Sequence, residues 1–167
     1  NMLLQELTNK TLISFNTKKR QEYTSLICDI FDYCKNIEPA KSLTIGNSMR
    51  RVLEAYGTFL YKESMEQISI DEDVIGKIEE PFKTYYQNLL YRLVLNGDSH
   101  SQEKVMALGS PDFFNYISDS ERQRTARDII VFLYLLDKQH ILKQLKSKGN
   151  IEADIEAWKE DIRKNGI

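Results

Sequence analysis

The sequence has no long apolar run and few cysteines, and both scarcities exclude classes of protein. Its longest apolar run, at positions 129–136, has eight residues, whereas a membrane-spanning helix needs about 20. The two cysteines, Cys28 and Cys34, are spaced neither as a zinc knuckle nor as a redox pair, so we expect reduced thiols in the core. No charged-then-apolar signal pattern opens the chain. We therefore expect a cytoplasmic protein that makes no contact with a membrane.

Sequence motifs for nucleotide and metal chemistry are also missing. There is no Walker A sequence, no Gly-x-Gly-x-x-Gly, no Gly-x-Ser-x-Gly and no His-Glu-x-x-His. The acidic cluster at positions 71–73 has no histidine at ligand spacing, and its charge is explained by the start of a helix. We therefore expect neither a metal nor a cofactor.

Length and charge set the scale of the protein. A chain of 167 residues predicts one domain, over residues 1–167, with a real core. The net charge of −2 argues against a protein that coats nucleic acid, because non-specific binding of that kind needs a positive excess. This charge does not exclude an enzyme that binds a few phosphates locally.

Apolar periodicity predicts an all-α fold, a single compact bundle of about five to seven helices. Ser118 and Glu121 fit a capping box that opens the longest helix, and the apolar centre of that helix predicts a buried hub near 119–146. Proline and glycine mark several helix ends. The main predicted segments are 17–35, 43–62, a segment starting at 71, a band from 82 to 94, 119–146 and 151–164.

One helix face carries an arginine and a carboxylate. Asn47, Arg50 and Glu54 recur at spacings of three and four, so they share a face, whereas Arg51 lies about a hundred degrees away and is expected to point elsewhere. The simplest interpretation is a surface ion pair worth only about 0.3–0.5 kcal/mol. A phosphate-binding pair is the alternative.

A second polar stretch places a histidine just after a predicted helix end. Asn96 and Ser99 stand beside His100 and could fix the tautomer of its ring. A solvated loop histidine is the simpler interpretation. The other histidine, His140, lies on the predicted long helix, and we expect it to be structural or at the surface.

Taken together, Asn47-x-x-Arg50-Arg51-Val52-Leu53-Glu54 and the later Asn96-Gly97-Asp98-Ser99-His100-Ser101 resemble the carboxyl-terminal helical region of AAA/ABC-type ATPases related to the PrrC and RloC anticodon nucleases. The resemblance spans roughly residues 20–140. It implies that the chain is the C-terminal part of a longer ATPase-containing protein with a role in phage defence, and that its partners are RNA, tRNA among them, and the ATPase core. Such regions are similar to HEPN ribonucleases, although the Arg-x(4–6)-His spacing of HEPN proteins is absent here.

The activity implied by this resemblance is metal-independent RNA cleavage. Glu54 and His100 would share the acid and base roles, and Arg50 would hold the phosphate. Asn47, Asn96 and Ser99 would bind substrate or support the catalytic groups. The alternative is a non-catalytic docking or dimerisation subdomain, in which Arg50 and Glu54 form a buried structural pair and His100 caps a loop.

Overall fold

A computed structural model describes residues 22–36, 38–42, 44–90 and 118–165, and the statements below concern these residues. They form an all-α bundle with no strand among them, as predicted. The helices number more than five to seven because two short ones, α2 and α4, were not predicted, and because the segment predicted over 119–146 forms two helices. In chain order the α-helices are α1 (22–35), α2 (Pro39–Ser42), α3 (Ile45–Tyr56), α4 (Met65–Ile70), α5 (Glu72–Ile75), α6 (Phe82–Leu90), α7 (Asp119–Leu136), α8 (Lys138–Gln144) and α9 (Ile151–Asn165).

Helix α7 is the predicted hub. Its residues from Ile129 to Tyr134 are all buried, so this helix is covered on every side at its centre. The predicted capping box is confirmed: the Ser118 hydroxyl accepts from the Glu121 amide at 3.2 Å, and the Glu121 carboxylate accepts from the Ser118 amide at 2.9 Å. The Ser118 amide and hydroxyl also hold the pKa of Glu121 below its usual value.

The prediction of one continuous helix over 119–146 is wrong in one respect. Helix α7 ends at Leu136, and α8 begins at Lys138. Between them Asp137 has a non-helical backbone (φ −148°, ψ 86°), and its side chain accepts a hydrogen bond from the His140 amide at 2.9 Å. An aspartate that caps a new helix therefore divides the predicted segment in two.

The predicted helix at 43–62 changes geometry partway. Helix α3 continues directly into a π-helical segment, Gly57–Tyr61, here called the π turn, which ends at Lys62 in the left-handed conformation (φ 59°). The wider turn rotates the following residues relative to α3. Leu60, which a continuous 3.6-residue repeat would place on the same face as Leu53 and Tyr56, is consequently 48% exposed, whereas Leu53 and Tyr56 are buried.

Helix α1 is held to the second half of the chain along its length. Arg127 of α7 donates to the Cys34 carbonyl at 2.9 Å, Gln123 donates to the Tyr33 carbonyl at 3.2 Å, and Thr24 donates to Gln144 of α8 at 2.6 Å. The first two contacts satisfy carbonyls near the helix C-terminus, which has no intrahelical partners for them. Position and tilt of α1 are thus fixed by α7 and α8.

The remaining expectations on the core stand. Both cysteines are free thiols, with Cys34 buried and Cys28 partly so, and burial raises the pKa of each. Helix α9 packs on the hub through Ile155 and Ile162, close to its predicted bounds of 151–164. Within the described part of the chain, no helix is both long and apolar enough to cross a membrane.

Candidate functional site

Arg50 and Glu54 lie where the spacing placed them, on the outer face of α3. The Arg50 Nε and Glu54 Oε1 atoms are 3.5 Å apart, and the two side chains are 56% and 60% exposed. Asn47, one turn earlier, is also exposed. The pair is therefore a solvated surface ion pair, and the alternative of a buried structural pair is wrong because the buried face of α3 is formed by other residues: Ile45, Met49, Val52, Leu53 and Tyr56.

The second half of the predicted site cannot be located relative to this pair. Asn96, Ser99 and His100 lie outside the described residues. The distance from the His100 ring to the Arg50–Glu54 pair, on which the three-residue catalytic site depends, therefore stays a prediction.

An open groove runs between α1 and the outer face of α3. Its volume is about 300 Å³. On the α3 side, the lining residues follow helical spacing along one face, which continues into the π turn. From Arg51 to Phe59 this face is about 12 Å long, or two helical turns. Its lining consists of Glu22, Tyr23 and Leu26 from α1, and Arg51, Glu54, Ala55, Thr58 and Phe59 from α3 and the π turn.

Arg51 does not point away from this surface, contrary to expectation. It forms an ion pair with Glu22 across the gap between the helices, and it lines the groove together with Glu54. Residues three apart on a helix are neighbours, and the approach of α1 supplies a partner that the sequence of α3 alone does not reveal. Arg51 and Arg50 are thus each paired with a carboxylate.

The groove lining includes one large exposed apolar side chain, that of Phe59. Phe59, which lines the groove, is 75% exposed, its neighbour Leu60 is 48% exposed, and Ile70 at the end of α4 is 75% exposed. These three are the large exposed hydrophobic side chains of the described residues. Periodicity places Leu60 on the buried face because the π turn is invisible to a 3.6-residue repeat.

Behind the groove lies His140, the first-turn histidine of α8. Its Nε2 atom is 3.0 Å from the Tyr23 hydroxyl, and its ring contacts Tyr23 and Tyr56 with centroid separations of 5.7 Å in both cases. Burial lowers the pKa of His140, opposed by the nearby Asp137 carboxylate, and burial raises the pKa of Tyr23 and Tyr56. The expectation of a structural role agrees with these contacts.

Two arginines of α7 also have structural contacts. Arg122 is 8% exposed and pairs with Asp119 at 2.6 Å, and the Arg127 guanidinium stacks over the Trp158 ring at 5.9 Å. Arg122 is thus paired within α7, whereas Arg127 links α7 to α9.

Among the described residues, no group of three or more histidine, cysteine, aspartate or glutamate side chains is arranged to hold a metal ion. No family model, curated protein or solved structure matches this chain. The groove and the Arg50–Glu54 face are thus the features from which a function must be argued.

Proposed function

We propose that this chain is a helical docking domain that binds an amphipathic helix of a protein partner in the groove between α1 and α3. The observation that carries the proposal is the exposed Phe59 ring at the end of that groove. Large exposed apolar side chains beside a concave surface are typical of protein–protein contacts.

The shape of the groove favours a helix as the occupant. Each wall is the face of one helix, and ridges of side chains on a third helix pack readily between two such faces. The small Ala55 side chain, midway along the α3 wall, leaves room for a larger apolar side chain of the partner. Two turns of groove length match the i, i+4, i+7 anchors of helix-in-groove recognition.

Charge favours a protein over a nucleic acid in this groove. Two carboxylates, Glu22 and Glu54, line it against a single guanidinium, that of Arg51, so the lining has a net charge of −1. Arg51 is already bound to Glu22. A phosphate backbone would have to break that pair and would be repelled by the carboxylates, whereas a helix bearing a lysine or arginine could share Glu54 with Arg50, since their ion pair is long and exposed.

The groove is also held in place before any partner arrives. The α1 wall is fixed by hydrogen bonds to α7 and α8, and the α3 wall is fixed by the buried face that includes Met49 and Val52. A preorganised site loses little conformational entropy on binding, which strengthens association.

Site-specific photocrosslinking tests this proposal. Position 58, exposed on the groove, receives p-benzoyl-phenylalanine, and exposed position 153 on α9 receives the same group as a matched control. We expect position 58, and not 153, to crosslink one defined segment whose apolar residues recur at helical spacing. A crosslink to a second copy of the chain, to RNA, or equally from both positions would contradict the proposal.

A second candidate is the ribonuclease activity implied by the sequence resemblance. The observation in its favour is the exposure of Arg50 and Glu54, since both side chains are accessible to an RNA backbone. Incubation with total tRNA and a chelator tests it, with Arg50→Ala, Glu54→Ala and His100→Ala beside the wild type and Lys164→Ala on α9 as control. Cleavage by the wild type and the control that is lost in the other three variants supports the nuclease; absence of cleavage, or cleavage by all, excludes this catalytic scheme.

A further inference from the structure

His140 joins α8 to both helices that form the groove. It contacts Tyr23, which lines the α1 wall, and Tyr56, which lies on the buried face of α3 directly behind the other wall. Any change in the position of this ring therefore acts on both walls.

The contact with Tyr23 depends on the protonation state of the ring. A neutral imidazole has one nitrogen that accepts a hydrogen bond, and its Nε2 atom can accept from the Tyr23 hydroxyl at 3.0 Å. In the imidazolium form both nitrogens donate. The Tyr23 hydroxyl must then turn to accept, and its own hydrogen loses this partner.

The surroundings determine where the protonated ring would move. Among the described residues, the titratable groups around it are Tyr23 from α1, Tyr56 from α3, and Asp137 before α8; Tyr61, beneath Lys77, lies beyond Tyr56. Asp137 is the only carboxylate of this set. Its charge attracts an imidazolium towards the start of α8, away from the two tyrosines.

We propose that protonation of His140 displaces the Tyr23 wall of the groove, so that partner binding weakens as the pH falls. This regulation rests on the proposed docking function, since it acts on the same groove. Protonation of His140 alone is sufficient for this effect, without a change in the charge of any residue that lines the groove.

Methyl NMR spectroscopy between pH 8 and pH 5 tests the coupling without any partner. Leu26 reports on the α1 wall, Ala55 on the α3 wall, and Ala153 on α9 is the matched control. We expect the Leu26 and Ala55 methyl shifts to follow the same midpoint as the His140 ring protons, and Ala153 to stay unchanged. In His140→Gln both responses should disappear, and in Tyr23→Phe, which keeps the ring, the Leu26 response should fall by at least half.

The outcomes separate the two proposals. If Leu26 and Ala55 do not follow the His140 titration, or follow it equally in His140→Gln, the coupling is overturned even where position 58 crosslinks a partner helix. If they follow it while position 58 crosslinks no partner, the docking function is overturned and the coupling remains a property of the fold. With both intact, the crosslinking yield at position 58 should fall at least threefold from pH 7.5 to pH 5.5; an unchanged yield contradicts the regulation.

Discussion

The hydroxyl of Tyr23 and the Nε2 atom of His140 lie 3.0 Å apart, although 117 positions separate the two residues. This contact ties the first described helix to the last third of the chain, at the back of the groove between α1 and α3. It makes the stability of the fold, as well as the groove, sensitive to the charge of one imidazole.

The free energy of unfolding should fall in mild acid because His140 becomes protonated. Burial lowers the pKa of this residue below its ordinary value of 6.5, so the unfolded chain takes up the proton first as the pH falls. The contribution of His140 to the free energy of unfolding is fully present above pH 6.5, and it decreases as the pH falls from there towards the pKa of the folded state. Urea unfolding at pH 7.5 and 5.5 measures it.

The control for this prediction is His140→Gln, which cannot titrate. Its loss of stability between the two pH values should be smaller than that of the wild type, and the difference isolates His140 from the carboxylates. An equal loss in both proteins would show that protonation of His140 does not affect folding.

The hub should be sensitive to truncation at its centre. Ile130 is fully buried in α7, whereas Ile70 is 75% exposed at the end of α4. We expect Ile130→Ala to reduce the free energy of unfolding by about 2–5 kcal/mol and Ile70→Ala by less than about 0.5 kcal/mol. Chemical denaturation of the two matched variants checks this, and similar losses in both would contradict the placement of the hub.

The capping box at the start of α7 offers a graded test. Ser118→Ala removes the hydroxyl that accepts from the Glu121 amide, and we expect a loss of about 1 kcal/mol. Ser118→Asp keeps an acceptor at the cap and should retain most of the stability. An equal fall in the thermal midpoints of the two variants would contradict the role of this cap.

A tyrosine of α6 is hydrogen-bonded to a buried carboxylate on α7. The Tyr85 hydroxyl donates to Asp128 at 2.9 Å, and burial, followed by the Asp128 charge, raises the pKa of Tyr85 to about 12. Tyr85→Phe should therefore cost about 1–3 kcal/mol. A double-mutant cycle with Asp128→Asn measures the coupling between the two side chains, and a coupling of zero would refute the interaction.

Local sequence patterns were sufficient for the hub and its start. The apolar run from Ile129 to Tyr134 and the Ser118–Glu121 box each depend on residues close together in sequence, so periodicity and capping rules find them. The break at Asp137 was not predicted because an aspartate inside an apolar pattern is compatible with either a continuous helix or a new cap.

The candidate site was predictable only in part. The Arg50–Glu54 pair follows from helical spacing, but the Arg51–Glu22 pair joins two helices, and its geometry requires the packing angle between them. Exposure of Leu60 follows from the π turn, for which the sequence offers only Gly57 as a weak signal. Long-range packing, which no local rule encodes, therefore defines the groove.

The central claim is that the groove between α1 and α3 binds a partner helix, and titration of that helix tests it most directly. The segment crosslinked at position 58, made as a synthetic peptide, is titrated by calorimetry onto the wild type, onto Thr58→Arg in the groove, and onto Lys164→Arg on α9. We predict binding to the wild type and to Lys164→Arg, and at least tenfold weaker binding to Thr58→Arg at an unchanged thermal midpoint. Equal affinity for all three proteins would contradict the account.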